Sequence, residues 1–568
     1  MDVFSHSVAS FDPTLSAVLL WTRLCGEAEA DWVMADDPGL ANVVASGRAR
    51  TSPDHDHTIV VDVDGLAAAT TYWYRFSAGG TRSPVGRTRT LPEAPTSRLR
   101  LGLACCAHYS VAPLGVYRAL AEREVDLVVH LGDYIYEDDG SQGPRSHRPP
   151  RPAVTLDDYR ARLAQIREDS DLQAVHLRHP MIGIWDDHDL ADNAWRGGAK
   201  HHDPTTQGEW STRVASAARA RQEWFPARLR DRADPLVTWR SVAVGDLVEL
   251  VLLDTRLAGR DLHAGEEAAK PLHDPSRSLL GDEQREWLRT RLLDASRPWA
   301  VVASGVVVNS LCLPVPSTRW LNPLLPNGYA ALDGQMLHDD QWDGYPAERE
   351  RVVGWIEERA RAGGRAVLVS GDVHSSWAFE GPCRDGDPVA VELTVPAVSS
   401  AAMARGHYPG AWRVLDRAAK RMDHVRWAEV TERGYVVLDV TPDEVRAEWW
   451  FVHPYHDQPA RSAELGTTLV SPRADWPPRF HASGDRVSEL SRPGLPEPLP
   501  PRPDDLPALR RRRRARIAVE LLGAGLVAAV PIALAYALAA DSPLKRHRTP
   551  PALSTDRRPS FWPSRCRR

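Results

Sequence analysis

The sequence predicts a layered α/β domain, preceded by a small all-β sandwich and followed by one C-terminal transmembrane helix. Three observations carry that expectation. Residues 1–95 are a succession of short β-branched and aromatic runs separated by turn residues. From Arg98 onward a buried-type strand, a polar motif and a helical stretch recur in that order. Ile517–Ala540 is apolar, with Glu520 as its single charge.

A chain of 568 residues has room for roughly two to four domains. Hydrophobic residues at 43% and charged residues at 26% are values of a globular protein with a full core. They exclude wholesale disorder and a collagen-like fibre. The formal net charge of −6 is unevenly spread: residues 510–568 carry +11, so the first 509 carry −17. A folded part that acidic argues against nucleic acid as a partner. Six cysteines, two of them the neighbours Cys105 and Cys106, do not make a disulfide framework. The first twenty residues hold Asp2 and Asp12, no Lys or Arg and no apolar run. The expectation is therefore a chain without an N-terminal export signal.

Within residues 1–95, Ser16–Thr22, His57–Val63 and Thr71–Phe76 read as strands of a β-sandwich. No titratable cluster at useful spacing falls there, so this part is expected to pack or to frame a substrate. Residues 96–460 carry the chemistry. Leu99, Leu101 and Leu103 alternate and lead into Cys105-Cys106-Ala107-His108. Val125–Leu131 leads into Gly132-Asp133, Met181–Trp185 into Asp186-Asp187-His188-Asp189, and Val367–Ser370 into Gly371-Asp372-Val373-His374. In layered α/β sheets ligands gather beyond the C-terminal strand ends, so these four stretches are expected to converge on one site.

Residues 461–509 read as a Pro-rich linker, since ten prolines fall between 471 and 510. Arg510–Arg514 and Arg516 precede the apolar run 517–540, and 541–568 is a basic tail. The run would span roughly 36 Å as a helix, enough for a bilayer core of about 30 Å. The expected topology is a single-pass membrane anchor, with the six arginines and the catalytic part on the cytoplasmic side.

Taken singly, Gly132-Asp133 and Gly371-Asp-Val-His374 are weak signals, because Gly-Asp turns are common. Asp186–Asp189 says more. Three carboxylates and an imidazole in four residues, straight after an apolar strand and Trp185, repel one another unless cations neutralise them.

The residues also resemble a known family. Phe4-Ser-His-Ser-Val-Ala-Ser-Phe-Asp-Pro13, Leu20-Trp-Thr-Arg-Leu24, Leu66 and Tyr72-Trp-Tyr-Arg-Phe76 are similar to the N-terminal domain of the alkaline phosphatase D family. Leu131-Gly-Asp-Tyr-Ile-Tyr-Glu137, Thr155-Leu-Asp-Asp-Tyr-Arg160, Trp185-Asp-Asp-His-Asp189 and Gly371-Asp-Val-His374 resemble its core motifs, in order. The resemblance covers residues 1 to about 455 and implies a calcineurin-like metallophosphoesterase domain of two packed sheets with flanking helices. It implies hydrolysis of phosphate monoesters and diesters with Fe³⁺ and Ca²⁺ as cofactors. Carried over by motif, Cys106, Asp133 and Tyr159 hold the iron, with Asp133 shared. Asp187, Asp372 and His374 complete the metal shell, and His188, Asn193 and Arg160 meet the phosphoryl group. Thiolate and phenolate suit Fe³⁺ and carboxylates suit Ca²⁺. On helical spacing alone Tyr159 shares a core face with Leu156, Leu163 and Ile166; the resemblance makes it a ligand. This chain departs from the family at Cys105-Cys106-Ala107, where members carry Ser-Cys-Gln. Two alternatives stay open: a phospholipase D-type phosphodiesterase acting on lipid head groups, and a non-catalytic, metal-stabilised membrane module.

Overall fold

In a computed structural model, the description covers residues 3–502, apart from 232, 265–269, 315–328, 333–334, 385, 403–421 and 485–499. Residues 506, 508, 509 and 511 are also described. Two large sheets stack face to face. The first runs, edge to edge, His481–Ala482, Glu464–Pro472, Glu444–Phe451, Gly434–Val440, Leu99–Ala104, Leu127–Leu131, Met181–Ile184, Val8–Phe11, Val18–Arg23 and Thr58–Val63. The second runs Arg240–Val244, Val248–Leu252, Trp299–Ser304, Arg365–Ser370, Val391–Thr394, Ser376–Glu380 and Val425–Glu429. Strands Leu99–Ala104, Leu127–Leu131 and Met181–Ile184 are mutually parallel, so their C-terminal ends lie together. In the other sheet Arg365–Ser370 is parallel to both of its neighbours.

The alternation in the sequence builds the interior. Leu99, Leu101, Leu103, Leu127, Val129 and Leu131 point from the first sheet into one core, and Leu250, Leu252, Val301, Val367 and Val369 meet them from the second. The opposite face of the first sheet is covered by helices Gly115–Ala121, Leu156–Arg167, Ser170–Arg178 and Trp210–Trp224. Helices Gly281–Leu293 and Pro346–Arg361 pack on the outside of the second. The central strands Leu127–Leu131, Met181–Ile184, Val248–Leu252 and Trp299–Ser304 are therefore buried on both faces, which is why they read as apolar runs.

The N-terminal part is not a separate sandwich. Strands Val8–Phe11, Val18–Arg23 and Thr58–Val63 join the catalytic sheet, with Phe11 registered on Met181. A smaller sheet of Glu29–Ala35, Val43–Arg50, Thr71–Ala78, Thr81–Arg82 and Gly86–Arg89 packs on that extension. Met34, Tyr74 and Phe76 there meet Val18, Leu20 and Ile59. The boundary expected at residue 95 is thus crossed by a continuous sheet.

The expected linker is also partly fold. Glu464–Pro472 and His481–Ala482 are strands of the large sheet. Arg502 binds both oxygens of Asp171, and Leu509 is buried with Ala112 and Tyr455. The described prolines do not prevent this: Pro472 is the last residue of its strand, and Pro477 and Pro478 lie between the two strands. Among the described residues no helix is long and apolar enough to cross a membrane; the expected span 517–540 lies outside the described residues.

Candidate metal centre

All four expected stretches converge. Strand Leu99–Ala104 delivers Cys106, Leu127–Leu131 delivers Asp133, Met181–Ile184 delivers Asp186–Asp189, and Arg365–Ser370 delivers Asp372 and His374. Their ligand atoms form three overlapping groups: Cys106 with Asp133 and His374; Asp133 with Asp187 and His188; Asp133 with Asp186, Asp187 and Asp372. Within each group the atoms lie within 4.8 Å of one another, and Asp133 belongs to all three.

The backbone is bent to achieve this. Cys106, Asp133, Asn193, Asp372 and His374 all have positive φ, between 50° and 63°. Non-glycine residues rarely adopt that conformation, and its cost is tolerated where the surroundings enforce it, typically at functional sites. Gly132 makes the first turn feasible: φ is +101°, and a Cβ there would sit 2.4 Å from Cβ of Asp186. Asp189 fastens the turn by accepting the amide N–H groups of Asp133, Tyr134 and Asp186, each at 3.0 Å.

The electrostatics are those of a candidate cation site. Burial, followed by Asp187, pushes Asp133 well above the ordinary carboxylate range. Burial, followed by Asp186 and Asp340, does the same to Asp372. Burial and the adjacent Cys105 raise the Cys106 thiol. Asp187 is instead lowered: burial raises it, but Arg256 and His188 prevail. Burial would lower His188, yet the carboxylates of Asp187 and Glu137 outweigh it and lift its pKa well above the usual histidine value. Glu137 accepts His188 Nδ1–H at 2.7 Å and the Asp192 amide N–H at 2.8 Å. Buried carboxylates and a thiol held this close favour their charged forms only beside cations, and thiolate, imidazole and carboxylate are ordinary ligands of metal ions.

Two expected residues lie elsewhere. The Tyr159 hydroxyl is taken up by Leu190 and Arg213: it donates to the Leu190 carbonyl at 2.5 Å and accepts from Arg213 Nε at 3.0 Å. It is the core tyrosine that its helical spacing describes. Arg160 turns toward the N-terminal part, with Nε and Nη2 each 2.7 Å from a Glu223 oxygen and Nη2 on the Asp54 carbonyl. Both residues follow from their helix: Thr155 caps it, reciprocated by Asp158, which fixes the faces that Tyr159 and Arg160 present. Arg160→Ala is expected to leave kcat within about twofold of wild type and to cost about 1–3 kcal/mol, read by thermal unfolding. A large loss of kcat at unchanged stability would return Arg160 to the site. Asn193 lies beside the cluster, its amide N–H donating to Asp187 Oδ2 at 2.7 Å.

The tyrosine at the centre is Tyr136. Its hydroxyl donates to Asp133 Oδ2 at 2.8 Å, lies 3.0 Å from His374 Nε2 and accepts from Ser400 Oγ at 2.8 Å. Its ring is sandwiched between His108 and His188, with centroids 4.1 and 4.2 Å away. The signal lay inside the Leu131–Glu137 motif, where a second phenol follows Asp133 by three residues. A further group, His108, Asp138 and His147, lies behind Tyr136 and is closed by its own contacts, including His108 Nε2 to Asp138 Oδ2 at 2.8 Å.

Comparison with known proteins agrees with this geometry. Residues 101–449 match the PhoD-like phosphatase family model, and residues 1–92 match the model of its N-terminal domain. Alkaline phosphatase D of Bacillus subtilis (strain 168) is 30% identical over 496 residues, covering 82% of this chain and 80% of that protein. A solved structure of PhoD superposes with a TM-score of 0.72 at 26% identity, covering 91% of this chain and 98% of that one. The chain belongs to the PhoD-like phosphatase family, a metal-dependent family, and is a phosphoric ester hydrolase.

Proposed function

We propose that the chain hydrolyses phosphate monoesters and diesters at a multi-metal centre organised around Asp133. Fe³⁺ would be held by Cys106, Asp133, Tyr136 and His374, and Ca²⁺ by Asp133, Asp187 and Asp372. The observation that supports this most is that one buried carboxylate is common to three donor groups. The donor chemistry fits, with soft and phenolic donors at one end and carboxylates at the other. Bound metal supplies polarisation of the phosphoryl oxygens and a water of lowered pKa.

The chain's own residues do the rest. Asp133 is held at Oδ1 by the His188 amide N–H, at 3.2 Å, while the Tyr136 oxygen lies 2.8 Å from Oδ2, close enough for both to face one metal ion. His188, fixed at Nδ1 by the Glu137 carboxylate, is the proton donor to the leaving alcohol. Asn193 keeps its place beside the phosphoryl group through its hold on Asp187. A second reading, a diesterase acting on lipid head groups, is favoured by the apolar run 517–540 behind its arginines. The same run is the proposed single-pass anchor, with the catalytic part on the cytoplasmic side.

Assays of a phosphomonoester, a phosphodiester and a phospholipid, each with and without Ca²⁺ and with metal analysis of the same preparation, test these readings. Monoester and diester turnover that needs metal supports the first. Turnover confined to phospholipid favours the second. Full activity on every ester after exhaustive chelation would remove the metal centre from the reaction.

A further inference from the structure

A buried arginine beside the carboxylates carries an assignment that rests on the hydrolase reading above and extends it. Arg256 follows strand Val248–Leu252 and is fully buried. Its Nε donates to Asp186 Oδ1 at 2.5 Å and its Nη1 to Asp340 Oδ1 at 2.9 Å. Asp340 is itself clamped by Arg260, whose Nη2 reaches Oδ1 at 2.5 Å and the Asp340 carbonyl at 2.7 Å. Two of the three guanidinium nitrogens are thus pinned, and the rigid plane of the group fixes the direction of the third.

That third nitrogen, Nη2, is buried and has no hydrogen-bond partner. It faces the metal centre, 3.8 Å from Asp187 Oδ1 and 3.9 Å from Asp372 Oδ1. Those distances are too long for hydrogen bonds. Both carboxylates are engaged by other donors. Asp187 accepts the His188 amide N–H at Oδ1, at 2.8 Å, and the Asn193 amide N–H at Oδ2, at 2.7 Å. Asp372 accepts from the Gln341 side-chain amide at Oδ2. A buried donor left unpaired is costly, and such a group in an otherwise well-paired network calls for an acceptor. A phosphoryl oxygen of a bound ester is such an acceptor, and guanidinium N–H groups bind phosphoryl oxygens strongly.

We infer that Arg256 is a substrate-binding residue whose Nη2 donates to a phosphoryl oxygen of the bound ester, and equally of product orthophosphate. Asp186 and Asp340 serve to aim it. The alternative is that Arg256 only balances the charge of the carboxylates, a task a lysine ammonium performs as a point charge.

The test is inhibition of the metal-loaded full chain by inorganic phosphate, in wild type, Arg256→Lys and Arg256→Met, with metal content measured on each sample. Arg256→Lys is expected to raise the phosphate inhibition constant and KM tenfold or more while metal content stays at the wild-type value. Arg256→Met is expected to go further where it folds, and Arg256→Lys alone suffices where it does not. Unchanged phosphate inhibition in Arg256→Lys overturns the assignment. So does loss of phosphate affinity that tracks loss of metal, because Arg256 would then act only by holding the carboxylates. A wild type inactive on every ester and indifferent to phosphate overturns the hydrolase reading and this assignment together. An active wild type with unchanged variants overturns this assignment alone.

Discussion

Asp133→Asn is expected to lower phosphoester hydrolysis by roughly a thousandfold or more, because every donor group of the centre loses its shared charged ligand. The fold should survive, and the sign of the stability effect makes the test specific. Asp133 is completely buried, and its pKa is raised by that burial and by the neighbouring carboxylate of Asp187. Without metal the site disfavours a charge at this position, so a neutral amide is no electrostatic burden there. Asn retains an oxygen that can accept the His188 amide N–H, and its own backbone keeps the bond to Asp189. Metal-free Asp133→Asn should melt at or above the temperature of metal-free wild type, whereas the metal-loaded variant should lose the stabilisation that metal gives wild type. Near-native turnover with a full complement of metal would falsify the central role of this residue.

Most of the catalytic fold was legible because its strands are covered on both faces. Leu99, Leu101 and Leu103 alternate against Arg100 and Gly102, and the apolar runs before Asp133, Asp186 and Asp372 have the length of buried strands. The polar motifs at their ends named most of the cluster. What the sequence hid depends on pairing between distant segments. Val8–Phe11 has the same composition whether it closes its own sandwich or lies against Met181–Ile184, and only the register of Phe11 on Met181 decides. The proline content of 461–509 concealed Glu464–Pro472, a strand whose ladder ends at its proline. At the site, Glu137, Ser400 and Arg256 were missed because their roles come from contacts made across the chain. Arg160 was misplaced because its partner Glu223 is sixty-three residues away on another helix.

The choice of tyrosine has the sharpest spectroscopic consequence. Iron-loaded protein is expected to be coloured by a phenolate-to-iron charge-transfer band, with Tyr136 as its expected source. Its hydroxyl lies against Asp133 and His374, two of the three members of the Cys106 group, and Ser400 donates to the same oxygen. Burial, with Asp133 and Cys106 nearby, holds that phenol well above its ordinary pKa, so it ionises only when a strongly charged cation offsets those neighbours. Tyr136→Phe removes the oxygen and keeps the ring between His108 and His188. It should abolish or shift the band and weaken iron retention, with activity falling in parallel. Tyr159→Phe should leave band and iron content untouched. Its cost is structural, about 1–3 kcal/mol, because the buried Leu190 carbonyl and Arg213 Nε each lose a partner. The two conservative variants thus separate a ligand from a packing residue with one absorption spectrum, one metal analysis and one melting curve. A spectrum bleached by Tyr159→Phe and indifferent to Tyr136→Phe would reverse the assignment. It would require the helix Leu156–Arg167 to release its hydroxyl from Leu190 and turn it toward Cys106 when metal binds.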